Sequence, residues 1–193
     1  MKKFDTLVKH ILLNESPSLE DRELPIDLNK IEINRECLEM CLVKGEQLSN
    51  FEKWKVYEVK NGSYAYFCFV AGDSVDAYTQ FFINGQVVYS QTVTQKKSDY
   101  TKGLIRRAFL NYFSEKFNNI ILDRIANNYG KNFFKKLLRE AMEKNYKVVV
   151  LLDNIQKEIE YDENDYEIYW RRLIISSKQY TDESDILFKI YYK

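Results

Sequence analysis

Histidine occurs once in this chain of 193 residues, proline twice and cysteine three times. With His10 as the lone imidazole, neither a histidine-rich zinc site nor a Ser-His-Asp triad is available. Cys37, Cys41 and Cys68 are odd in number and lack Cys-x-x-Cys spacing, so they do not form a disulfide framework and read as reduced thiols of a cytosolic protein. Cys37 and Cys41 stand four apart, on one helix face, and are expected to be buried as small apolar residues. No apolar run reaches the roughly 18 residues of a membrane span. No GxxxxGK[ST] motif occurs, which leaves a P-loop NTPase unsupported. There is no charge excess either: 29 basic and 29 acidic residues give a net charge of +0. General nucleic-acid binding through a basic surface is therefore not expected, although a local patch stays open.

What is abundant is aromatic: 15 tyrosines and 12 phenylalanines, in a chain that is 45% hydrophobic and 30% charged. That composition supports a sizeable core and argues against disorder. The length fits one domain with an N-terminal arm, and the division expected is a helical arm and connector over 1–45 and an α/β domain over 46–193.

"MKKFDTLVKHILLNES" has lysines before apolar residues, as signal peptides do, but Asp5, Lys9 and His10 interrupt the apolar region and no small-residue cleavage site follows. It reads as an amphipathic helix with Phe4, Leu7, Val8, Ile11 and Leu12 on one face. Pro17 and Pro25 mark an extended connector from Glu15 to about Lys30, and a helix is expected over Asn34–Val43, closed by Gly45. The segments "KWKVYEV", "YAYFCFV", "AYTQFFI" and "QVVYSQTV" are aromatic and β-branched. They are separated by "KNGS", "AGDS" and "NG", and Asn61-Gly62 and Asn84-Gly85 read as tight hairpin turns. An antiparallel meander of four strands follows.

The period then changes. Leu104, Ile105, Ala108, Phe109, Tyr112 and Phe113 recur at helical spacing from Gly103 to Phe117, and Phe133, Phe134, Leu137, Leu138, Ala141 and Met142 do so from Gly130 to Lys144. Between and after them lie the strands "NIILDRIA" and "YKVVVLLD". "EIEYDENDYEIYW", at Glu158–Trp170, lacks the spaced carboxylates of a calcium loop and reads as a solvated insertion, with recognition through its tyrosines and Trp170 as the other reading. A helix is expected around Asp165–Ser176, Arg171 and Arg172 being charges on its face, and "DILFKIYY" is a last strand. The fold class is thus α/β (α+β), a single mixed, mostly antiparallel sheet flanked by helices.

Two stretches carry chemistry. "SDYTKGLIRR" follows a strand and opens a helix, so its backbone amides near Thr101, Lys102, Gly103, Leu104 and Ile105 could meet a phosphate, with Lys102, Arg106 and Arg107 as cations. Gly103 as a plain strand-to-helix connector is the other reading, and the three cations then belong to a solvated helix face. "NNYGKNFFKK" sets Asn127, Gly130, Phe133 and Phe134 at fixed intervals; Asn127 and Asn128 serve equally as a helix cap.

Taken with the order of elements, these two stretches resemble the GNAT acyltransferase superfamily from roughly Lys53 to Lys193. The resemblance implies acetyl-CoA as the acyl donor, its pyrophosphate on Thr101–Arg106 and its pantetheine arm beside Asn127 or Asn128, an amine-bearing acceptor, and no metal. The chain departs from the family where a second small residue is usual, since Ile105 stands there, and where a tyrosine often protonates the leaving thiolate, since Phe134 has no proton to give. "QVVYSQTV" holds no glutamate to act as base; Asp123 could serve if it faces the cleft, and Tyr89 and Tyr100 are conceivable acids. No catalytic residue is assigned.

"MKKFDTLVKHILLNE" and "LPIDLN" also resemble the N-termini of proteins encoded by tailed bacteriophages. That implies an alternative: a non-enzymatic structural or host-interaction protein in the host cytoplasm or the virion, docking a protein partner through its N-terminal helix.

Overall fold

The computed structural model describes residues 27–122, 128–152, 157–173 and 187–192. The expected leader helix, most of the connector, His10, Asp123 and Asn127 lie outside them, as do the side chains of Trp170, Arg171 and Arg172. In order, the chain forms α1 (Ile31–Lys44), β1 (Glu46–Gln47), β2 (Lys55–Asn61), β3 (Tyr64–Ala71), β4 (Ser74–Asn84) and β5 (Val87–Gln95). A 3-10 turn, Asp99–Thr101, leads into α2 (Leu104–Arg107), a π-helical stretch (Ala108–Tyr112) and α3 (Phe113–Lys116). Then come β6 (Asn119–Leu122), α4 (Asn128–Glu143), β7 (Lys147–Leu152), β8 (Lys157–Glu160), α5 (Tyr166–Leu173) and β9 (Leu187–Tyr191). The strands make one nine-stranded sheet in the order β1-β2-β3-β4-β5-β6-β9-β7-β8. β5 and β6 are parallel, while β1 through β4 and the pairs β6–β9, β9–β7 and β7–β8 are antiparallel. The mixed, mostly antiparallel sheet flanked by helices is the class expected from the sequence.

The chain forms two compact units. The first comprises, among the described residues, 27–82 and 92–105. It holds β2, β3 and most of β4 of the expected meander, whose turns follow from glycine: Gly62 and Gly72 have φ of 55° and 57°, a region that costs a side chain strain but glycine little. β3 is buried at six consecutive positions because it is covered on both faces. Tyr66, Cys68 and Val70 face Cys37, Met40 and Cys41 of α1, whereas Phe67 and Phe69 meet Phe81 and Phe51 edge-on. All three cysteines are free and buried, as the helix-face spacing predicted for two of them. Asn34, inside α1, binds both backbone groups of Val75: its Oδ1 accepts from the amide at 3.0 Å and its Nδ2 donates to the carbonyl at 2.6 Å. The same Nδ2 also reaches Leu28 O at 3.0 Å. This buried amide therefore meets no uncompensated polar neighbour.

α1 begins three residues before the expected start and does end at Gly45, but not through a left-handed glycine. Gly45 has φ of −88°, and its N–H bonds Cys41 O at 2.9 Å. A Cβ here would stand 2.3 Å from Cys41 O and 3.3 Å from Tyr57 Cβ, so close approach, not torsion, excludes a side chain.

The second unit comprises 83–91 and the described residues from Arg106 onward. Its sheet buries Ile121, Val149 and Leu151, with Val87, Tyr89, Leu187 and Tyr191 packed against them. α4 presents the buried Phe134, Leu137, Leu138 and Ala141, as its helical spacing predicts. The segment read as a solvated insertion is corrected here. Lys157–Glu160 is the edge strand β8, paired with β7 from Val149↔Glu160 to Leu152↔Lys157, and Tyr161 and Tyr166 are buried against Phe188. Charged side chains at an exposed edge leave the backbone ladder intact and oppose pairing with another chain, which is why the segment looks like a loop from composition alone.

Two consequences are measurable. Gly45→Ala should lower unfolding stability by roughly 1–3 kcal/mol, because the added carbon displaces backbone rather than a flexible side chain; urea titration reads this. Burial raises the Cys37 thiol and the Tyr66 phenol to about 12, from ordinary values of 9.0 and 10.0. The folded chain then keeps protons that the unfolded chain releases, so stability is complete below pH 9.0 and falls as pH rises toward about 12. A urea series across that window should show the decline.

Candidate functional site

The residues singled out from the sequence begin where β5 ends. After Gln95 the chain makes a 3-10 turn at Asp99–Thr101, passes Lys102 and Gly103, and enters α2 at Leu104. Gly103 has φ of 71°, which permits the reversal from turn to helix and disfavours any residue with a Cβ. Thr101 is fully buried and ties the turn to itself: its hydroxyl donates toward Lys96 O at 2.7 Å and Ser98 O at 3.0 Å and lies 2.9 Å from the Ser98 hydroxyl. Lys102 N donates to Asp99 O at 3.3 Å. Leu104 and Ile105 are fully buried. The Ile105 amide is met, at the long distance of 3.5 Å, by Gln95 Oε1. Thr101 through Ile105 thus form one braced turn in the first unit.

The remaining residues belong to the second unit. Arg106 donates from Nε to Glu140 Oε1 at 2.9 Å, so its charge already has a half-exposed partner. Asn128 is the first residue of α4. Tyr89 packs into the cluster around Ile121 and Val149, and Phe134 is buried, as expected. Among the described residues no three His, Cys, Asp or Glu side chains gather to hold a metal, and no helix is long and apolar enough to cross a membrane.

Sequence reading missed the residue on which the turn hangs. Asp76, in β4, is 0% exposed. Its Oδ2 accepts from Trp54 Nε1 at 2.9 Å, and its Oδ1 accepts from Tyr100 Oη at 3.0 Å and Ser74 Oγ at 3.2 Å. The Lys96 ammonium donates to Ser74 Oγ, and Lys53 Nζ lies 4.4 Å from the centre of the Tyr100 ring and 4.9 Å from that of Trp54. Desolvation, then the hydrogen bond to Asp76, holds the Tyr100 phenol above its ordinary value, so it remains a donor. The signal was present: a lone aspartate within "SVDAYTQFFI", between apolar neighbours, has to find donors once its strand is buried.

No protein-family model matches this chain, and no curated protein matches it. Among solved structures, a Bacteroides thetaiotaomicron protein assigned to the GNAT acetyltransferase family matches at a TM-score of 0.41 and 11% identity, covering 87% of this chain and 85% of its own. A Bacillus subtilis acetyltransferase, solved in complex with CoA, matches at a TM-score of 0.35 and 12% identity, covering 67% and 76%.

Thr101→Val should test the brace directly. The swap keeps the shape but strips the Lys96 and Ser98 carbonyls of their hydroxyl donor, with an expected cost of about 1–2 kcal/mol in urea unfolding.

Proposed function

We propose that this chain is a GNAT-like acyl-CoA-binding protein that acts as an N-acyltransferase or descends from one. The observation that carries the reading is the left-handed Gly103 between the braced Asp99–Thr101 turn and the first residue of α2, which sets the backbone N–H groups of the turn at the positive end of a helix, after the turn that follows β5. A pyrophosphate is the anion such amides accept. The element order read from the sequence supports the same assignment, with the parallel β5–β6 pair, Tyr89↔Ile121 and Ser90↔Leu122, inside an otherwise antiparallel sheet. Transfer would consist of an amine nitrogen attacking the thioester carbonyl, the C–S bond breaking, and the departing thiolate and the amine exchanging their proton balance through water, since buried Phe134 has no proton to give. Orientation, not acid-base catalysis, then carries the rate.

A second reading, a phage-encoded scaffold that binds a virion or host protein without chemistry, is favoured by one observation. The groups that would meet phosphate already have partners within the protein: Gln95 for the Ile105 amide and Glu140 for Arg106.

Calorimetric titration with acetyl-CoA separates the two. The acyl-CoA reading expects micromolar affinity, weakened about tenfold or more in Gly103→Val, where a β-branched residue opposes positive φ. No heat and no thermal shift at millimolar ligand would leave Gly103 a connector and turn the search to protein partners.

A further inference from the structure

We propose that Asp76 is a positioning residue: through its hydrogen bond to Tyr100 it sets the geometry of the turn from Ser98 to Gly103, and with it the affinity of that turn for acyl-CoA. The second half of this statement rests on the acyl-CoA reading above; the first does not.

Asp76 holds the turn at two points. Its backbone carbonyl accepts from Lys96 N at 2.8 Å, fixing the chain where β5 gives out, and its carboxylate accepts from the Tyr100 hydroxyl at 3.0 Å, fixing the middle of the 3-10 turn. Between these two points the chain is closed on itself by Thr101, whose hydroxyl reaches back to Lys96 O. The loop 96–101 is therefore a short closed ring of bonds anchored on one residue of β4, and Gly103 with the first amides of α2 follows from it without further slack.

Apolar burial cannot supply this anchoring. Tyr100 is 49% exposed, so its ring is not held by a core around it. What restrains it is the hydroxyl bond, together with the Lys53 ammonium near the ring. The acceptor end is the opposite case. Asp76 is 0% exposed, so water does not compete for its oxygens, and bonds from Trp54 and Ser74 keep the carboxylate in one orientation whether or not Tyr100 is present. A half-exposed phenol tied to a buried acceptor is an arrangement that transmits position from β4 to the turn.

Tyr100→Phe tests this, because it removes one hydroxyl from a half-exposed side chain and leaves the ring in place. Three quantities are read on the full chain: the unfolding midpoint, amide hydrogen exchange at Gly103, Leu104 and Ile105, and acetyl-CoA affinity by calorimetry. The expected result is at most a small drop in midpoint, since Trp54 and Ser74 still donate to Asp76, with exchange at those three amides faster by about tenfold and affinity weaker by about tenfold. Unchanged exchange at the three amides overturns the proposal, as does exchange that rises throughout the chain with a lowered midpoint, which would mark a merely structural bond. If wild-type protein binds acetyl-CoA and the variant binds equally well, the affinity role is overturned. If wild-type protein binds none while the exchange still rises locally, the anchoring stands and the acyl-CoA reading falls.

Discussion

A carboxylate with no solvent exposure must be given donors by the protein, and Asp76 is where the first unit meets that demand. Leaving such a group unpaired costs several times what an ordinary surface contact contributes. Its donors come from three places in the sequence: Trp54 before β2, Ser74 at the start of β4, and Tyr100 in the turn after β5. Each is fixed by its own context, Trp54 by full burial and Ser74 by the Lys96 ammonium. The strand register, the end of β5 and the entry into α2 are consequently not independent choices. They are settled together around one acid.

Local pattern made much of the fold readable. The four meander strands fall where aromatic and β-branched runs are cut by glycine, and Gly62, Gly72 and Gly85 all adopt the positive φ that such turns need. α4 follows from its apolar spacing. What failed to show was whatever depends on pairing across long separations. The last strand, Leu187–Tyr191, does not extend the sheet in sequence order but enters between β6 and β7, with Ile190 opposite both Ile120 and Val148. Nothing in "DILFKIYY" names those neighbours. β8 was lost for a different reason: its charged residues satisfy an edge, and edge strands share their composition with loops.

The candidate turn was visible as a glycine between a strand and an amphipathic helix, but its energetics were not. Sequence offered Arg106 as a cation and the helix amides as donors for a phosphate, or as a solvated face and a plain connector, and could not show that Glu140 and Gln95 approach them. Neither partner is a strong competitor. A half-exposed ion pair contributes little net stability, and the 3.5 Å contact to Ile105 is at the limit of a hydrogen bond. The turn itself is braced by the Thr101 hydroxyl.

The central proposal is that the turn at Gly103 is where an acyl-CoA pyrophosphate rests. The most direct measurement is amide chemical-shift mapping of isotopically labelled protein as coenzyme A is added. The account predicts saturating shifts centred on Gly103, Leu104 and Ile105. Shifts centred elsewhere, or none at millimolar coenzyme, would contradict it.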